Sequence, residues 1–165
     1  MDFRDAVVIV LEFEGGGRLV SHPRDPGGLT KYGISLRAHP ELGAAGIRNL
    51  TEEQAIEIYR SKYWSPLRLG RFSPRLALPL FDAAVNHGSR TGIRIFQEAL
   101  NSLGADLLAD GAAGELTVKA AKSYAPRRVL AAFLSQRLQF YRRLDTYAVF
   151  GLGWDRRIIE IAVLS

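Results

Sequence analysis

The chain has 165 residues, 47% of them hydrophobic and 24% charged, with a formal net charge of +5 from 22 Lys+Arg against 17 Asp+Glu. Such a composition fits one globular domain, or one domain with a small appended lobe, and excludes a disordered chain. The absence of cysteine excludes disulfides, thiol catalysis and thiolate metal sites, while the basic excess favours polyanionic partners.

Residues 2–14 read as a helix, because Phe3, Val7, Val10 and Glu14 share one face at helical spacing. Gly15, Gly16 and Gly17 stop it. Leu19-Val20 and the run from Thr30 to Ile34 read as strands of a small hairpin, with the segment from Pro23 to Gly28 supplying the turns. Thr51 and Gln54 form a capping box that opens a helix running to about Tyr63 and ending before Pro66. Ser73-Pro74 starts the next helix, which Pro79 is expected to kink or reset and Gly88 to end. Residues 90–103 form an amphipathic helix closed by Gly104; Asp110-Gly111 is a turn, and 115–124 is helical. Pro126 opens what reads as the longest helix, 126–147, followed by a Gly and aromatic loop from Phe150 to Asp155 and a short helix over 156–163. The fold class is therefore mostly α with a small N-terminal β-hairpin. The pairs Arg127-Arg128, Arg142-Arg143 and Arg156-Arg157 read as solvated faces.

No transmembrane span is apparent. Val7 to Leu11 is too short for a secretory signal and runs into Glu12 and Glu14. His22, His39 and His87 are scattered without metal-ligand spacing, so neither a metal nor another cofactor is expected.

Glu14 is the focal residue, since it continues an apolar helix face and adjoins three glycines. An apolar setting withholds hydration from the carboxylate and favours the protonated acid, the form that protonates a glycosidic oxygen. The glycines allow a sugar chain to approach the backbone closely. Asp25 is read either as a second carboxylate, orienting water or steadying an oxocarbenium-like transition state, or as a turn-former. Thr30 is either a water-positioning hydroxyl or a plain strand residue, and Tyr32 either a sugar contact or core. Asn86, near a helix end, caps backbone or binds an acetamido group, and Tyr63-Trp64 is an aromatic pair that lines a groove or packs inside.

Together, Glu12-Phe13-Glu14-Gly15-Gly16 and Asp25-Pro26-Gly27-Gly28-Leu29-Thr30-Lys31-Tyr32-Gly33-Ile34 resemble the hallmark of the glycoside hydrolase family 108 N-acetylmuramidases. These are found among phage endolysins and secretion-associated muramidases. Asp82 to Gly88 is similar to a further segment of that family. Phe96 to Asn101, Asp110-Gly111 with Gly114 and Thr117, Arg137 to Tyr141 and Gly153 to Arg157 are similar to the peptidoglycan-domain region usually joined to it. One departure is Gly17, where family members often carry an aromatic residue. The resemblance implies a lysozyme-like helical fold and cleavage of the β-1,4 bond after N-acetylmuramic acid, with Glu14 as catalytic acid. The implied organisation is a catalytic lobe over 1–88 and a helical peptidoglycan-binding-like region over 89–165, packed as one compact unit. Its partners are peptidoglycan glycan strands and a holin or secretion-system component, with no nucleic acid and no stable membrane insertion. The expectation is synthesis in the cytoplasm without a signal peptide, then export to the peptidoglycan of the periplasm.

Three other readings compete. A peptidoglycan-binding or export-helper module has no need of an acid on an apolar face. A lytic transglycosylase also uses one glutamate, but the sugar's own hydroxyl attacks and an anhydro product forms. A nucleic-acid binder is prompted by charge alone, without a motif.

Overall fold

The computed structural model describes residues 1–21 and 28–165, and the chain divides into two units, 4–62 and 1–3 with 63–165. The expected turn residues from Pro23 to Gly27 lie outside the described residues.

Helix α1, Phe3–Phe13, enters the unit 4–62 at Arg4 and buries Ala6, Val7, Val10 and Leu11 along one stripe. Its end is a Schellman cap: Gly16 N–H donates to the Leu11 carbonyl at 2.8 Å and Gly15 N–H to that of Glu12 at 3.1 Å. Gly15 holds a φ of +86°, which a side chain would strain. Strands β1, Thr30–Lys31, and β2, Ile34–Ser35, pair antiparallel, Thr30 with Ser35 and Lys31 with Ile34. The run from Thr30 to Ile34 is thus not one strand but a whole hairpin. Its two-residue turn, Tyr32-Gly33, has φ of +52° and +71°, as a type I′ turn requires. Val20 joins only as an isolated bridge to Thr30. Tyrosine does not announce a left-handed position, so the turn was invisible to residue preference. Helix α2, Gly43–Asn49, follows, then α3, Glu52–Tyr59, opened by the expected Thr51–Gln54 capping box. The helical path continues as a π-helical turn over Arg60–Trp64.

The other unit is helical. Helices α4, Pro74–His87, α5, Ser89–Ser102, α6, Glu115–Lys122, α7, Pro126–Arg142, and α8, Tyr147–Leu164, surround a core of Leu76, Leu80, Phe81, Ile93, Phe96, Leu100 and Phe133. At Gly92 the α4 and α5 backbones approach so closely that a Cβ would lie 3.0 Å from the Ala83 carbonyl. Pro79 neither resets nor interrupts α4: it lies buried inside the helix, where packing on all sides outweighs one forfeited backbone hydrogen bond. Two boundaries differ from expectation. α7 stops at Arg142, where i→i−3 bonds from Arg143 and Leu144 tighten its last turn. α8 then runs unbroken through the expected loop from Phe150 to Asp155 and is, at 18 residues, longer than the 17-residue α7. Packing overrides its glycines: Gly151 lies buried against the Tyr147 ring, Tyr147 Oη donates to Asp155 Oδ2 at 2.6 Å, and Trp154 stacks on Tyr141 at 4.8 Å.

Two polar networks organise this unit. Gln97 Nε2 donates to Asp110 Oδ1, the Ala112 carbonyl and Thr117 Oγ1, while its Oε1 accepts from Gly111 N–H at 2.8 Å. One buried amide thereby fixes the Asp110-Gly111 turn and the start of α6. The second network is centred on Asp82 of α4, fully buried, which accepts from Arg137 Nη2 of α7 at 2.6 Å and Arg157 Nε of α8 at 2.7 Å. Arg157 therefore corrects the expectation of a solvated pair: Arg156 is exposed, but Arg157 turns inward to an ion partner. Burial alone would raise the Asp82 carboxyl; the two guanidiniums outweigh it and hold the group below its ordinary range.

Beside this triad, His87 Nε2 accepts from Arg137 Nε at 3.3 Å. Burial, with the Arg137 charge, pushes His87 down to about 3 against the opposing pull of Asp82. The folded state thus binds its proton later than the unfolded state does. Stability present above about 6.5 is lost as pH falls towards about 3, by up to about 5 kcal/mol for a shift of this size. Urea unfolding across that window should show the loss, and His87→Gln should flatten it. An unchanged slope in the variant would assign the acid sensitivity to the carboxylates alone.

Candidate active site

Glu14 is the C-cap residue of α1, anchored by its N–H to the Val10 carbonyl at 3.0 Å and followed by the glycine cap. It is half-buried. Its stem lies on the hairpin turn: a Cβ at Gly33 would fall 2.9 Å from Glu14 Cβ, 3.0 Å from its Cγ and 2.6 Å from the Tyr59 hydroxyl. Only glycine fits there, both for this close approach and for its φ of +71°.

The turn is held from two sides. Tyr59 Oη donates to the Tyr32 carbonyl at 3.0 Å, and Tyr32 N–H donates to the Gly16 carbonyl at 3.1 Å. These bonds tie α3 and the cap of α1 to one dipeptide and hold Tyr32 in a left-handed conformation that costs a non-glycine residue about 1–2 kcal/mol. The Tyr32 ring covers Gly17, whose hypothetical Cβ would lie 2.8 Å from the Tyr32 hydroxyl. A side chain at position 17 would require the far end of the Tyr32 ring to swing aside. By contrast, a Cβ at Gly15 or Gly16 would meet no described residue within 4 Å.

The structure thus gathers Glu14 and Tyr32 around the glycine cap. Thr30 lies in the same hairpin, half-buried, its backbone paired in both directions with Val20. Asp25 falls outside the described residues, so its separation from Glu14 does not enter the argument. The remaining candidates belong to the other unit. Trp64, half-buried, packs edge-on to Phe3 at 5.3 Å and Phe81 at 5.5 Å, and Tyr63 beside it is also half-buried. Asn86 is exposed, with its amide donating to the Asp82 carbonyl at 3.2 Å and Asp82 Oδ1 at 3.4 Å. Sequence reasoning missed Tyr59. Its place on the apolar face of α3 signalled burial, but its bond to a carbonyl 27 residues earlier has no local trace.

Among the described residues, no group of three His, Cys, Asp or Glu is placed to hold a metal ion. No helix is long and apolar enough to cross a membrane among those described.

Gly33→Ala should push on the Glu14 stem and the Tyr59 hydroxyl together. The expected result is a loss of about 1–3 kcal/mol in unfolding free energy, plus a fall in activity larger than that instability explains at a temperature where the variant stays folded. Full activity in a folded Gly33→Ala protein would show that the Glu14–turn contact has no bearing on the site.

Residues 7–88 match the family model described as Glycosyl hydrolase 108, and residues 91–159 that described as Predicted Peptidoglycan domain. The chain is also similar to the solved structure of Brucella abortus SagA, with 30% sequence identity and a TM-score of 0.82 over 98% of this chain and 91% of that one. A search of curated proteins gave no match.

Proposed function

Since the chain belongs to glycosyl hydrolase family 108 and is a glycoside hydrolase bearing a peptidoglycan domain, we propose that it is an N-acetylmuramidase with Glu14 as general acid. The observation that carries this reading is the setting of Glu14. It is a half-buried carboxyl on a hydrogen-bonded helix cap, its stem seated on a strained turn and the adjoining Gly15 and Gly16 clear of every described side chain. Fixed placement of an acid is what protonation of a glycosidic oxygen needs.

In this mechanism, protonated Glu14 donates to the oxygen between N-acetylmuramic acid and N-acetylglucosamine as the β-1,4 bond breaks. Positive charge builds on the muramic acid carbon, and water attacks it. Thr30 and Asp25 are assigned to orient that water or steady the charge. Tyr32, Asn86, Tyr63 and Trp64 are assigned to contact the glycan, with residues 1–88 as the catalytic lobe and 89–165 as its peptidoglycan-binding partner. Export to the periplasm, through a holin or a secretion system, completes the proposal.

Digestion of purified sacculi followed by mass spectrometry of the products tests it. Reducing muramic ends are expected from the wild type and about 10²–10⁴-fold fewer from Glu14→Gln. Anhydro-muramic products would replace the muramidase with a lytic transglycosylase. Binding to sacculi without any release would leave the chain a peptidoglycan-binding module.

A further inference from the structure

Helix α8 is apolar on two opposite faces. One face, with Gly151, Ile158 and Ile161, is buried, and Trp154 on it stacks on Tyr141 of α7. The other carries Val149, Leu152, Ile159 and Val163, which are 75%, 87%, 63% and 80% exposed. A helix apolar all round is normally covered all round, and an exposed run of this kind marks an interaction surface.

The spacing of the exposed residues describes what covers them. Positions 149, 152, 156, 159 and 163 alternate by three and four, which is the narrow a/d seam of a helix pair. The charges on α8 decide between a lipid surface and a protein. Its charged residues are Asp155, Arg156, Arg157 and Glu160, two of each sign. Asp155 accepts from Tyr147, and Arg157 turns inward to Asp82. That leaves Arg156 on the seam, joined to Glu160 by an ion pair of 3.1 Å. A lipid-binding helix carries an excess of Lys and Arg on its polar face, which α8 lacks. A self-complementary pair of opposite charges instead suits a second copy related by a two-fold axis.

We propose that the exposed face of α8 pairs antiparallel with α8 of a second copy of this chain. In the register that sets Leu152 against the partner's Val163, Arg156 lies beside the partner's Ile159 and the partner's Glu160. The two intrachain ion pairs then close into a ring of alternating charge at the centre of the seam. An 18-residue helix is about 27 Å long, and one face of it buries less than the ~800 Å² per partner of a standard stable interface. The dimer is accordingly weak and concentration-dependent.

Sedimentation velocity of the full chain over a wide concentration range, with the wild type and three variants, tests this. The wild type should pass from monomer to dimer. Leu152→Lys and Val163→Glu should each weaken the dimer at least about tenfold. The variant carrying both substitutions sets an ammonium against a carboxylate across the two-fold axis and should restore it. At concentrations where the wild type is monomeric, thermal midpoints and sacculus hydrolysis should stay unchanged in all three, because both side chains are exposed and far in sequence from Glu14. A wild type that is monomeric throughout overturns the proposal, as does a dimer indifferent to Leu152→Lys. Failure of the double variant to recover overturns the antiparallel pairing. Pelleting of the monomer with phosphatidylglycerol vesicles, lost in Leu152→Lys, would reassign the face to a lipid surface.

Discussion

Glu14→Gln is expected to reduce release of reducing muramic ends from sacculi by about 10²–10⁴-fold, the range over which a positioned general acid acts. The amide matches the carboxyl in shape but has no proton of suitable acidity to give the leaving oxygen. The fold should not suffer. The cap of α1 is made by backbone groups of Gly15, Gly16, Leu11 and Glu12, and the part of Glu14 packed on Gly33 is its aliphatic stem. Activity and stability should therefore move independently, unlike in Gly33→Ala, where both fall. Measured turnover of Glu14→Gln within a few-fold of the wild type would take Glu14 out of the mechanism.

Asp82→Ala is the substitution expected to harm folding most, by about 3–5 kcal/mol. It strips the carboxylate that Arg137 and Arg157 share and leaves a fully buried guanidinium at Arg137 without this ion partner. Replacing one member of such a cluster is worse than replacing all of it, since an uncompensated buried charge is the expensive state. Combining Asp82→Leu with Arg137→Leu and Arg157→Leu should recover much of the loss. Denaturant unfolding of the single and triple variants measures both. A triple variant no more stable than Asp82→Ala would locate the loss in packing and not in unpaired charge. The triad also bears on how the chain divides. Asp82 lies within the 7–88 match and both arginines within the 91–159 match, so residues 91–159 alone would lack the carboxylate to which both cations donate.

Local signals placed many boundaries correctly because each is decided within a few residues. The Thr51–Gln54 capping box opens α3, Pro74 occupies the first turn of α4, Gly88 ends it, and the glycines after Glu14 close α1. The loop expected over Phe150 to Asp155 failed for the complementary reason. A helical glycine costs only about 1 kcal/mol, which the packing of Tyr147, Gly151 and Trp154 readily exceeds. Likewise, the arginine pair at 156–157 looks uniform in sequence, yet one member faces solvent and the other a buried carboxylate 75 residues away.

The sequence by itself therefore determined the mostly α class, many of the helix starts and stops and the family motif, and it singled out Glu14 as the candidate acid. These depend on caps, periodicity and spacing, which are short-range properties of the chain. Only the tertiary structure decided that Tyr32-Gly33 turns the hairpin, that Tyr59 holds that turn, that Glu14 rests on it, and that α4, α7 and α8 share one buried ion triad. These contacts join residues up to 75 positions apart, where the energy comes from burial and pairing that no local preference encodes.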